Sequence, residues 1–416
     1  MAKTKLPEEF CSFCETPKSE AGSLVRGATD NVYICAECVA SSKQSLDQLI
    51  SNKKPKKLTL EQIRQKVPTP KTIVQYLDQY VIGQAEAKKS LAIAVHDHYL
   101  RIYSAHTDTD NDVQIDKSNI LLVGPSGTGK TLLAKALATL LNVPFAIGDA
   151  TSITEAGYVG EDVENLLLRL LHSADMDIAL AEKGILYIDE IDKIRSTGGN
   201  VSITRDVSGE GVQQSLLKMI EGTICNVPPQ GGRKHPEQQF LQIDTTDILF
   251  ICGGSFAAGL ENIIKKRIGG GSIGFGRDNK SDEEKQNDIF SQVTDQDLID
   301  YGIIPELVGR LPVISTLKEL SVDDLCHVLT EPKNALLRQQ QKMFKLYGQE
   351  LKFTDAAFAE IATRAKEKKT GARALRSIVE TIMREFKFSM PDEKAGKSYS
   401  ISDVFVKESL QNDAAA

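Results

Sequence analysis

The sequence predicts an α/β protein: a parallel sheet with helices on both faces, a small metal-binding module before it, and a smaller α-rich domain after it. Three observations carry that prediction. An apolar run, Ile120-Leu121-Leu122-Val123, leads into Gly124-Pro125-Ser126-Gly127-Thr128-Gly129-Lys130-Thr131 and then into a helical pattern from Leu132. A second apolar run, Gly184–Ile188, ends in the adjacent acids Asp189 and Glu190. Four cysteines, Cys11, Cys14, Cys35 and Cys38, form two Cys-x-x-Cys pairs ahead of both.

At 416 residues the chain is long enough for two or three domains with sizeable cores. Its 41% hydrophobic and 26% charged residues are ordinary for a globular protein. The net charge of −7 argues against a general grip on nucleic acid, which needs a basic face. No apolar run is long enough to cross a bilayer and the N-terminus lacks a signal-peptide core, so no membrane partner is expected and the location is read as the cytoplasm or an organelle matrix, with cytoplasmic preferred.

Taken in order, Cys11-x-x-Cys14 and Cys35-x-x-Cys38 place four thiolates within reach of one tetrahedral Zn²⁺. The fragment is too small to bury a core, so metal binding would supply much of its folding energy. No further ligand or Glu-His pairing lies near, which makes the zinc structural, in a module over 1–50. Residues 51–69 read as a lysine- and proline-punctuated linker. Beyond it, Tyr80-Val81-Ile82-Gly83-Gln84 separates two helical patterns, and Val81 and Ile82 could pack on an adenine ring or simply form a helix–helix turn. The aspartates of 107–116 lack the glycine and distal glutamate of a calcium loop.

The segment 124–131 has the strand–loop–helix context of a P-loop. Its glycines let backbone N–H groups face a phosphate chain, and the helix N-terminus adds positive dipole. Lys130 can then reach the β- and γ-phosphates and Thr131 can ligate Mg²⁺, with Gly124, Pro125, Ser126, Gly127, Thr128, Gly129 and Leu132 completing the cradle. Val143–Ile147 reads as a second strand, Gly184–Glu190 as a third and Asp247–Gly254 as a fourth, buried enough for a parallel sheet. Asp189 is suited to hold Mg²⁺ and Glu190 to polarise an attacking water.

These residues resemble the AAA+ ATPases: a Walker A loop, a Walker B segment at 188–192, and two arginine signatures downstream. Pro305–Pro312 resembles the segment that presents an arginine finger, here Arg310, to a neighbouring subunit. Gly371-Ala372-Arg373 resembles sensor 2, where the arginine reaches the nucleotide from the small domain. Each would set a planar cation against charge developing on the γ-phosphate. Sensor 1 stays unassigned, since only Ser255 is a polar candidate after the fourth strand.

Within that family the chain is similar to the Clp unfoldases. Gly157-Tyr158-Val159-Gly160 resembles their first pore loop, Arg205–Gln214 falls at their second, and Arg233-Lys234-His235 resembles a loop at the channel entrance. Ile273-Gly274-Phe275, in a glycine-rich stretch, resembles their peptidase-docking loop. An aromatic–aliphatic pair between glycines can grip any polypeptide by bulk, though the same residues could make a tight turn over a core tyrosine. Apolar residues in a glycine-rich run fit a partner's pocket better than a core.

The resemblance implies an ATP-hydrolysing homo-hexamer that unfolds and translocates tagged proteins, with adaptors, into a separate ClpP peptidase. No protease signature is present in the chain itself. It further implies a large α/β domain over 70–316 and a small lid over 317–405, while the polar, alanine-ended segment 406–416 reads as a disordered tail. The rival is a AAA+ motor remodelling nucleic acid, disfavoured by the net charge of −7. Cys225, Cys252 and Cys326 have no partner spacing and read as small apolar residues.

Overall fold

The computed structural model describes residues 9–27, 31–51, 67–104, 115–154, 161–196, 209–228, 240–257, 259–269, 289–393 and 395–415. The chain divides into two units, one spanning Met1–Leu60 and the other essentially the remainder.

In the first unit, a short helix α1 (Lys18–Ala21) is followed by strands β1 (Leu24–Arg26) and β2 (Tyr33–Cys35). The two strands pair antiparallel with Leu24 opposite Cys35. Helix α2 (Ala36–Ser51) follows directly, so Cys35 closes a strand and Cys38 sits in the first turn of a helix.

The second unit opens on α3 (Pro70–Leu77), whose first turn is capped by the Thr69 hydroxyl and begins with proline, and continues into α4 (Ala85–Ser104). Five parallel strands build its main sheet in the order β4-β5-β8-β3-β9. They are β3 (Ile120–Val123), β4 (Phe145–Asp149), β5 (Ile185–Asp189), β8 (Leu249–Gly254) and β9 (Val313–Thr316). Every residue of β3 and β8 is buried, as expected for strands covered on both faces. Their register sets Ile120 opposite Ile251 and Val313, and Ile185 opposite Leu249. Strand β8 therefore lies between the P-loop strand and the acidic strand. The ends of all three open on one crevice, where ligands of such sheets bind.

Helices α5 (Lys130–Leu141), α6 (Glu164–Ser173), α7 (Ile178–Ala181), α8 (Glu210–Glu221), α9 (Leu260–Gly269), α10 (Asp295–Tyr301) and α11 (Pro305–Gly309) complete the large domain. A hairpin of β6 (Ile224–Val227) and β7 (Leu241–Asp244) and the edge strand β9 were not expected from the sequence.

The lid packs α12 (Val322–Thr330), α13 (Leu336–Leu346), α14 (Asp355–Glu367), α15 (Ala372–Ser389) and α16 (Asp403–Ala415) around Leu325, Phe344, Ile361, Ile378 and Ile382. The strand expected at 350–353 is β10 (Glu350–Phe353), and it pairs in parallel with β11 (Ser398–Ile401). The expectation of a disordered tail from 406 is corrected: the helix runs on to Ala415, and fully buried Val406, with Phe405 and Leu410, packs on the lid core. No described helix is long and apolar enough to cross a membrane.

Candidate functional site

The P-loop curls between β3 and α5, with Gly127 at φ 78° and Gly129, the residue that begins the helix, at φ 98°. Both angles lie in the left-handed region that glycine adopts without strain. Gly127 answers a second demand as well. A Cβ there would sit 2.3 Å from the Thr370 carbonyl oxygen, and one on Gly371 would sit 2.8 Å from that of Ser126. The Ala372 N–H donates to the Gly127 carbonyl at 3.2 Å. The lid thus seats its backbone directly on the P-loop, and that seat delivers Arg373 to the crevice.

Lys130 is only 8% exposed, and its Nζ donates to the carbonyls of Gly124 at 2.6 Å and Pro125 at 2.9 Å. Burial pushes its pKa down to about 8, against the pull of Asp189 and Asp192 and with help from Arg373. Phosphate oxygens would favour the charged ammonium, so triphosphate binding above pH 8 should take up a proton. The Kd for ATP is expected to rise by up to about tenfold per pH unit from pH 8 upward. Titration calorimetry at pH 9 in buffers of different ionisation enthalpy reads that proton directly, and identical heats in all buffers would contradict it.

Across the crevice the Thr131 hydroxyl donates to Asp189 Oδ2 at 3.0 Å. Asp189 Oδ1 accepts from the Tyr187 hydroxyl at 3.2 Å and from the Glu190 N–H at 3.0 Å. The Thr131 oxygen and the Asp189 carboxylate together are the hard oxygen donors that Mg²⁺ prefers. Glu190 has φ 57° and ψ 32°, a left-handed backbone for a residue with a Cβ, the strain often found at functional positions. It begins a 3₁₀ turn, Ile191–Ile194, in which Asp192 is almost fully buried. Asp192 accepts from Ser255 N at 3.0 Å, Ser255 Oγ at 3.0 Å and Phe256 N at 3.2 Å.

These groups wall a cavity of about 850 Å³. One side carries Ser126, Gly127, Gly129, Lys130, Thr131 and Leu132, and another Asp189, Glu190 and Asp192 with Ser255. Ala372, Arg373 and Arg376 close it from the lid. Gly124, Pro125 and Thr128 support the loop from behind, the Thr128 hydroxyl donating to the Pro125 carbonyl at 2.9 Å. Val81 is buried with its Cγ1 3.5 Å from where a Cβ on Gly129 would lie, and Ile82 is half-buried beside it. Neither lines the cavity. Their loop is tied instead to the strand–lid connection, where Gln84 exchanges two hydrogen bonds of 2.8 Å with the Lys318 backbone.

Arg310 does not reach this cavity. It is 56% exposed and pairs with Glu221 at 3.0 Å, while its carbonyl accepts from Asn119 Nδ2 at 3.1 Å. Arg376 escaped the sequence reading, although its place three residues after Arg373 in a first helical turn puts both cations on one face. The loop residues Tyr158, Val159, Arg233, Lys234, His235, Ile273, Gly274 and Phe275 lie outside the described residues.

In the N-terminal unit the sulfurs of Cys11, Cys14, Cys35 and Cys38 all lie within 4.8 Å of one another. Sulfurs bound to one tetrahedral zinc at about 2.3 Å stand about 3.8 Å apart. Cys14 and Cys35 are 3.7 Å apart, far beyond a disulfide and right for that ion. Burial opposes ionisation of Cys11, yet backbone N–H groups of Cys14, Phe13 and Cys35 outweigh it and bring its pKa down to about 6. The Cys38 thiol is pushed the other way, up to about 12, by the neighbouring Cys14 and Cys35 sulfurs, so without a metal the four sulfurs do not all ionise together. The four residues are placed to hold one tetrahedral zinc ion.

Residues 115–314 match the family model of the AAA domain (Cdc48 subfamily). Residues 9–48 match that of the ClpX C4-type zinc finger, and 320–386 that of the C-terminal, D2-small domain of ClpB protein. The chain is 51% identical over 417 aligned residues to the ATP-dependent Clp protease ATP-binding subunit ClpX of Borrelia duttonii, covering 99% of this chain and 93% of that one. The protein of that name from Borrelia recurrentis matches to the same extent. That from Treponema denticola is 50% identical over 401 residues, covering 96% of this chain and 94% of the relative.

Proposed function

The chain belongs to the ClpX family, and on that premise we propose that it is an ATP-dependent unfoldase and translocase that delivers proteins to the ClpP peptidase. The observation that carries this reading is the backbone seat of the lid on the P-loop. The cavity beside that seat is lined by Asp189 and Glu190 of the large domain and by Arg373 of the lid, which supports the reading. A change at the γ-phosphate then bears on two domains at once, which is what converts hydrolysis into movement.

ATP lies along Gly124–Thr131, and Lys130 exchanges the carbonyls of Gly124 and Pro125 for phosphate oxygens. Thr131 and Asp189 would hold Mg²⁺, which neutralises charge across the β- and γ-phosphates. Glu190 orients the attacking water and accepts its proton. Arg373 meets the developing charge from the lid, and Arg310 does so in the neighbouring subunit. Its distance from the cavity of its own chain and its exposure fit a residue presented outward. Ser255, held by buried Asp192, senses the γ-phosphate side.

A trans-acting arginine requires a ring, and we assign a homo-hexamer working in the cytoplasm. Tyr158 and Val159 grip the polypeptide, Arg233, Lys234 and His235 admit it with or without an adaptor, and Ile273, Gly274 and Phe275 dock the peptidase.

The test is ATP-dependent loss of fluorescence from a tagged, stably folded reporter protein. The full chain should unfold it. The Tyr158→Ala variant should hydrolyse ATP within about twofold of the parent yet unfold the reporter at least about tenfold more slowly, because the loop bears on substrate rather than on phosphate. An intact reporter alongside ATP-driven movement on DNA would replace this reading with the nucleic-acid motor.

A further inference from the structure

Gln213 is a fully buried polar side chain with no part in the nucleotide cavity. It lies in the first turn of α8 and all of its side-chain hydrogen bonds leave that helix. Its Nε2 donates to the Ile194 carbonyl at 2.8 Å and to the Gly302 carbonyl at 3.1 Å. Its Oε1 accepts from the Ile304 N–H at 2.8 Å. Ile194 ends the 3₁₀ turn that Glu190 begins, and Ile304 is the residue from which α11 starts. Arg310 closes α11, and its guanidinium is paired with Glu221, the last residue of the same α8.

A buried amide is costly unless its partners are satisfied, and once satisfied it fixes them in one arrangement. Here one amide holds the acidic turn of the chain's own ATP site and the root of the arginine that the chain offers to its neighbour. Helix α8 spans the two ends as a strut. We propose that Gln213 is a positioning residue that sets the trans-acting Arg310 in register with the Walker B turn of the same subunit. Each subunit would thereby report the state of its own site to the next one. The inference rests on Arg310 acting in trans, as read above.

Mixed rings of the full chain separate the two ideas. Arg310→Ala subunits serve as acceptors, since they retain Glu190 but offer no finger, and an excess of Glu190→Gln subunits serves as donors. Restored ATP hydrolysis by these rings is the expected result. If the donors restore nothing, Arg310 does not act in trans, and the proposal falls with that reading. Donors carrying Gln213→Met as well as Glu190→Gln should restore at least about tenfold less, since sub-ångström errors in such a group are costly. Equal restoration overturns the proposal while leaving the trans reading standing.

The direction of the effect excludes a general loss of structure. Placed instead in the acceptor with Arg310→Ala, Gln213→Met frees that subunit's Ile194 carbonyl but moves no finger. It should therefore lower rescue by Glu190→Gln donors by at least about threefold less than it does in the donor. Equal damage in both roles would reduce Gln213 to packing. Should Gln213→Met subunits fail to assemble, Ile304→Pro removes the N–H at the root of α11 and trims a partly buried side chain, with Ile304→Val as the control for the trimming. Ile304 already has φ −64°, which proline adopts, so the same donor-specific loss is expected there and its absence counts against the proposal.

Discussion

Glu190→Gln is expected to lower the rate of ATP hydrolysis by about 10²–10⁴-fold while leaving nucleotide affinity within about twofold. The side chain lies on the cavity wall, whereas the groups suited to Mg²⁺ and phosphate are Thr131, Asp189 and Lys130. The substitution keeps volume, hydrogen-bonding reach and the left-handed backbone, and it removes only the proton acceptor. Single-turnover phosphate release and binding of a fluorescent ATP analogue, measured on the same preparation, separate the two effects. Hydrolysis within about fivefold of the parent would assign the base elsewhere. Asp189→Asn should behave differently, because it loses charge from the pair of oxygens suited to Mg²⁺. Its defect should shrink as Mg²⁺ is raised, while that of Glu190→Gln should not.

Legibility in the sequence followed chemistry more closely than shape. Gly124–Thr131 was readable because only glycines tolerate φ 78° and 98° there, and only a lysine followed by a hydroxyl serves a phosphate and its metal. Strands β3, β5 and β8 were readable because burial on both faces leaves long apolar runs. Strand β9 was not: Ser315 and Thr316 are polar, and its place in the sheet depends on backbone pairing with β3 rather than on side chains. Strand β11 and α16 failed for a similar reason, since among the tail's described side chains Val406 alone is deeply buried and no apolar stripe announces the helix. At the site, Asp189, Glu190 and Arg373 follow from motif and resemblance. The network that orients them does not. Tyr187 bonding Asp189, Asp192 holding Ser255, and Gln213 reaching Ile304 are tertiary contacts between residues whose sequence neighbours give no hint of one another.

Removal of zinc is expected to unfold residues 9–48 while the ATPase unit keeps its fold and its rate. Among residues 9–43 whose side chains are described, only Cys11 and Cys35 are buried, and both belong to the four-cysteine cluster. Phe10, Phe13 and Val25 are 52%, 66% and 61% exposed, so the unit holds its largest apolar side chains outside any core. Strands of three residues in a two-stranded sheet are marginal by themselves. The apparent binding energy of structural zinc, about 10–16 kcal/mol, far exceeds what such contacts supply, so the folded state depends on the metal. Chelation, or Cys35→Ser, should abolish protease resistance of 9–48 and release one zinc per chain. Nucleotide binding should not change, because every residue lining the cavity belongs to the other unit. A zinc-free chain whose N-terminal unit still resists protease would show that its fold does not depend on the metal.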